Sequence, residues 1–108
     1  ATGDDNDNLL IQNNSFTTSY YAIYARASSI LGSNDNLQIL QNSIGSNTPA
    51  NYVLFRGMDI QYANGPLVAR NTIFNMTSTL SASIAAIELG AGVNNGVVDR
   101  NELRTIQN

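Results

Sequence analysis

The stretch Gly65-Pro66-Leu67-Val68-Ala69-Arg70-Asn71-Thr72-Ile73 decides the fold, because its pattern recurs through the chain. The Val68, Asn71, Ile73 arrangement is matched by Ile11, Asn14, Phe16, by Ile39, Asn42, Ile44 and by Val98, Asn101, Leu103. The four asparagines are spaced by 28, 29 and 30 residues. Six residues before each lies a turn former: Asn8, Asn36, Gly65 or Asn95. Self-similarity at such a period is the signature of a stacked repeat, in which each unit buries its apolar face against its neighbours.

The spacing predicts two short strands meeting at an asparagine corner. Residues two apart face the same side of a strand. Phe16, Ile44, Ile73 and Leu103 are therefore expected inside, and Ser15, Ser43, Thr72 and Glu102 outside. Ile11, Ile39, Val68 and Val98 are expected to form a second inner column. Asn tolerates φ > 0 better than branched residues, so the left-handed corner is placed at Asn14, Asn42, Asn71 and Asn101. Stacked copies let their amides bond along the axis, as in other asparagine ladders.

A third strand per coil is read at Ile23-Tyr24-Ala25, Val53-Leu54-Phe55 and Ile87-Glu88-Leu89. The expected architecture is all-β: a right-handed parallel β-helix of about 3.5 coils of 28–30 residues with three short strands per coil. Residues 1–7 read as a polar acidic tail and residues 8–108 as the coils. The tail holds Asp4, Asp5 and Asp7, but no Glu closes a calcium loop. A β-sandwich also uses many short strands, yet it gives no reason for the recurring asparagine. Leucine-rich repeats need several Leu per unit.

Composition narrows function. Sixteen of 108 residues are Asn, the net charge is −3, and the five basic residues are all Arg. Nucleic-acid binding needs clustered positive charge, which is missing. No apolar run approaches the ~20 residues of a membrane-spanning helix. Neither Cys nor His occurs, which removes thiol chemistry and the commonest general base and metal ligand. No metal or cofactor is expected.

The repeat resembles the parallel β-helix repeats of the pectate lyase-like superfamily over roughly residues 8–104. The resemblance rests on the corner asparagines and their flanking aliphatics. It implies a β-helix, and a substrate groove along the outer face of the long strand. On the strands as read, the outward residues are Tyr24, Leu54 and Glu88, followed by Arg26, Arg56 and Gly90. Tyr24, Arg26, Arg56 and Glu88 are the candidate ligand contacts, since an aromatic ring stacks on sugar and Arg pairs with carboxylates. Asp35 and Asp59 are placed in loops one coil apart, where they can approach each other, and no two carboxylates are expected on adjacent coils of the groove. Arg rarely gives up a proton.

The expected role is a non-catalytic repeat segment of a larger secreted or cell-surface protein of bacterial type, serving as spacer, adhesin or glycan-binding stalk. The alternative is a fragment of a polysaccharide lyase, hydrolase or epimerase whose active site lies mostly elsewhere. Expected partners are a polysaccharide, and either the rest of a longer chain or another protein at the uncapped ends. Asn13 and Asn75 begin acceptor sequons for N-glycosylation.

Overall fold

A computed structural model describes residues 6–28, 33–78 and 83–107. The first coil contains β1 (Leu10–Gln12), β2 (Ser15–Phe16) and β3 (Tyr21–Arg26). The second contains β4 (Asn34–Asp35), β5 (Gln38–Leu40), β6 (Ser43–Ile44), a 3-10 turn at Pro49–Asn51, and β7 (Arg56–Gln61). The third contains β8 (Ala63–Asn64), β9 (Leu67–Ala69), β10 (Thr72–Thr77) and β11 (Ala85–Leu89). It is followed by β12 (Val97–Asp99) and β13 (Glu102–Gln107).

Every strand pairs in parallel with its counterpart one coil away. The sheets run β1-β5-β9-β12, β2-β6-β10-β13 and β3-β7-β11. The chain is therefore a parallel β-solenoid of about three turns. A fourth column, β4-β8, joins the three expected sheets, and a bridge from Asn64 to Asn94 extends it. Among the described residues, no helix is long and apolar enough to cross a membrane.

Register confirms the repeat. Ile11, Ile39, Val68 and Val98 are successive partners, as are Phe16, Ile44, Ile73 and Leu103. The middle members Ile39, Val68, Ile44 and Ile73 are fully buried. Val98 and Leu103 are each 50% exposed because no described coil covers their outer side. With Leu37, Met58, Ile60 and Met76, the buried members form one continuous core along the axis.

The asparagine ladder runs through this core. The Oδ1 of Asn42 accepts from the main-chain N–H of Asn14 (3.0 Å) and from its Nδ2 (3.2 Å). Asn71 Oδ1 accepts the same pair from Asn42, and Asn101 Oδ1 the same pair from Asn71. Asn14 Nδ2 also donates to the Gln12 carbonyl of its own coil, whereas the other three reach a carbonyl one coil back. Asn42 donates to Ile11, Asn71 to Ile39 and Asn101 to Val68. Asn42 and Asn71 are buried with both ends of the amide satisfied, as buried polar groups require.

The left-handed corner is one residue earlier than expected. Asn13, Gln41, Arg70 and Arg100 have φ between 53° and 60°, whereas the ladder asparagines do not have positive φ. The ladder residue must aim its side chain along the interior, so the preceding outward-facing residue makes the turn. A non-glycine residue in this conformation costs ~1–2 kcal/mol, which the ladder bonds offset. The other turn column is left-handed as a set: Asn8, Asn36, Gly65 and Asn95.

Residues 1–5 lie outside the described residues, and with them Asp4 and Asp5. Asn6 and Asp7 are bonded to the second coil. The Asn6 N–H donates to Asn34 Oδ1 (3.0 Å), and Asp7 Oδ1 accepts from the Asp35 N–H (3.1 Å).

Candidate functional site

The third sheet departs most from the sequence reading. Its middle strand is Arg56–Gln61, and not Val53-Leu54-Phe55. The Tyr20 carbonyl accepts from both the Phe55 N–H (3.1 Å) and the Arg56 N–H (3.0 Å). Two successive residues thus share one acceptor, an irregularity of the β-bulge kind, and regular pairing begins after it. Val53 remains buried in the core.

The shift rewrites the outer face. Tyr24 pairs with Asp59, and Asp59 with Glu88. Ile23, Met58 and Ile87 form the inner column alongside, followed by Ala25, Ile60 and Leu89. Asp59, and not Leu54, is therefore the middle outward residue. Two carboxylates do stand on adjacent coils of the face, one strand spacing apart, ~4.8 Å between main chains. Asp59 belongs to β7, so its placement in a loop beside Asp35 was wrong; Asp35 sits in β4, opposite Asn64.

The side chains differ in access. Tyr24 is 52% exposed and Asp59 only 6%. Asp59 Oδ1 accepts from Gln61 Nε2 (3.3 Å). Glu88 pairs with the Arg56 guanidinium, whose Nη1 also donates to the Phe55 and Ser83 carbonyls. That guanidinium lies 3.7 Å from the Phe55 ring centre. Phe55 stacks on Tyr20 (4.7 Å, 16°), while Tyr21 meets Phe55 and Tyr24 edge-on at 5.5 and 5.3 Å. Arg56 is thus a fixed, largely covered group that neutralises Glu88.

Arg26 sits beyond Tyr24, in register with Gln61, its guanidinium 5.6 Å from the Tyr62 ring centre. Hydrogen bonding and charge from Tyr24, then Tyr62, raise its pKa further above an already high value. An arginine in this setting keeps its proton and its positive charge.

Of the four sequence candidates, Arg56 pairs with Glu88 and Arg26 interacts with Tyr24, and Asp59 stands between Tyr24 and Glu88 in the sheet. Asp59 and Gln61 were missed. The signal was present in the alternation Met58, Asp59, Ile60, Gln61, apolar and polar with a period of two.

Elsewhere, Arg100 lies 3.6 Å from Asp99, and Glu102 pairs with Arg104. All four are exposed, so these contacts contribute little. Of the two sequon asparagines, Asn13 is exposed. Asn75 is held through its Nδ2 by the Ser46 carbonyl and Asn47 Oδ1. Among the described residues, no group of three or more acidic side chains is placed to hold a metal ion.

Comparison with protein-family models, curated proteins and solved structures gave no match for this chain.

Proposed function

We propose that this chain is a rigid, non-catalytic solenoid segment of an extracellular protein that presents a glycan-binding face along β3, β7 and β11. The observation that carries the reading is the Tyr24 column. An exposed ring stands in register with Asp59 and Glu88, beside a fixed Arg26. A ring face takes the apolar side of a sugar, and the Arg26 guanidinium and the exposed edge of Glu88 take its hydroxyls, with Asp59 lying buried beneath them. The parallel sheets hold these groups at a fixed spacing without any ligand, so little ordering is needed on binding.

A second reading is favoured by Asp59 and Glu88 themselves. Retaining glycosidases place two carboxyl groups ~5–5.5 Å apart, close to one strand spacing. A resemblance to the pectate lyase-like superfamily points the same way, toward a piece of a polysaccharide-processing enzyme. Against it, Glu88 is occupied by Arg56, and Asp59 is only 6% exposed, out of reach of a bound sugar.

Titration calorimetry with neutral and uronate-containing oligosaccharides tests the first reading. Weak binding that Tyr24→Ala abolishes supports it, and no binding to any of them overturns it. New reducing ends or unsaturated products, above a boiled control and lost in Asp59→Asn, would replace it with the enzyme reading.

A further inference from the structure

Two Asn-Gly dipeptides occur in the chain, Asn64-Gly65 and Asn95-Gly96. In such a pair the glycine nitrogen can attack the asparagine amide carbon, since no following side chain obstructs the approach. Both asparagines are exposed, so accessibility does not separate them. Their places in the coil do.

Asn64 lies within β8, and its own carbonyl accepts from the Asn36 N–H (3.0 Å). The Gly65 N–H, the would-be nucleophile, donates to the Asn94 carbonyl at 2.7 Å. Gly65 is the left-handed corner itself, and corner N–H groups are used between coils; Asn8 and Asn36 donate to Asp35 and Asn64 in the same way. In the last coil the dipeptide is shifted by one residue, so Asn95 is the corner and Gly96 follows it. Among the described residues, the position after the corner donates no inter-coil main-chain bond. Leu9 and Leu37 make none, and Pro66 has no N–H to give. Gly96 inherits this unused N–H as a property of its place in the repeat.

We infer that Asn95 is a site of spontaneous covalent modification: intramolecular deamidation through Gly96, with Asn64 protected by the fold. The Gly96 amide loses its proton to base, and its nitrogen bonds to Asn95 Cγ. The Cγ–Nδ2 bond breaks and ammonia leaves, giving a succinimide. Water then opens the ring at either carbonyl to give aspartate or isoaspartate, with no oxidant or reductant. Both products add a negative charge at an exposed corner. Isoaspartate also adds one main-chain carbon two residues before the Val97 N–H, which bonds to the Pro66 carbonyl at 2.8 Å.

The test is peptide mapping after prolonged incubation of the folded chain at mildly alkaline pH. Cleavage after arginine separates the sites, since residues 57–70 contain Asn64 as their one Asn and residues 71–100 contain Asn95. The expected result is aspartate and isoaspartate at Asn95, with residues 57–70 unchanged. In urea, both dipeptides should convert. Gly96→Ala should lose the conversion yet fold, because its Cβ would meet Leu89, Val93 and Pro66 at ordinary contact distances of 3.4–3.5 Å. Equal conversion of Asn64 and Asn95 in the folded chain would overturn the inference. So would an unmodified Asn95, an unaffected Gly96→Ala, or an Asn64 that stays intact in urea.

Discussion

The main-chain N–H and the Nδ2 of Asn42 both donate to the Oδ1 of Asn71, one coil away, at 2.9 and 3.0 Å. Removing that carboxamide strands two donors on Asn42 and the Ile39 carbonyl, all in the core. Each buried group left without a partner costs ~1–3 kcal/mol. Asn71→Ala should therefore destabilise the chain by about 3 kcal/mol or more. Asn14→Ala, at an exposed end of the ladder, should cost under about 1.5 kcal/mol. Urea unfolding of the two variants checks the difference, and equal midpoints would refute a ladder contribution that depends on burial.

Ile73 and Leu103 are register partners in one apolar column, but Ile73 is fully buried and Leu103 half exposed. Ile73→Ala should cost ~2–5 kcal/mol by lost burial and a residual cavity. Leu103→Ala should cost less than half as much, because much of its surface already meets water. Chemical denaturation gives both values.

Arg56 combines a planar contact on Phe55 with pairing to Glu88. Arg56→Lys keeps the charge but loses the flat stack and the several directed donors. The expected loss is about 1 kcal/mol. The Phe55 ring proton shifts in NMR should move. A silent Arg56→Lys would mean that the guanidinium is not held on the ring.

Gly57 lies at the start of the candidate face, and a Cβ there would come 2.4 Å from the Ala86 carbonyl oxygen of the next coil. Gly57→Ala must push β7 and β11 apart. The expected cost is ~1–3 kcal/mol, together with weakened binding of any ligand that spans both strands. Thermal unfolding measures the first effect and calorimetry the second.

Asn36 has φ 57° at an outer corner. Asn36→Gly should be nearly neutral there, whereas Asn36→Val should cost ~1–2 kcal/mol because a branched residue resists this conformation. Similar stabilities for the two would show that the corner is not a backbone constraint.

The sequence by itself determined the parallel stack and its two aliphatic columns. The asparagine and its flanking aliphatics keep fixed spacing because the ladder and the core permit no slippage in sheets built from β1, β2 and their counterparts. That spacing did not reveal which corner residue is left-handed. Gln41, Arg70 and Arg100 have no conformational preference for that role, and only the inward aim of the next asparagine imposes it. Nor did it fix the third sheet. Ile23 lies nine residues past Asn14, whereas Met58 and Ile87 lie sixteen past Asn42 and Asn71. Loops of unequal length connect the sheets there, and the apolar run Val53-Leu54-Phe55 resembles a strand more than Gly57-Met58-Asp59 does. The choice was made by the Tyr20 carbonyl taking two N–H groups and by Met58 and Ile60 filling the core. It also put Asp59 between Tyr24 and Glu88, because a change of register in one strand changes every neighbour on the face.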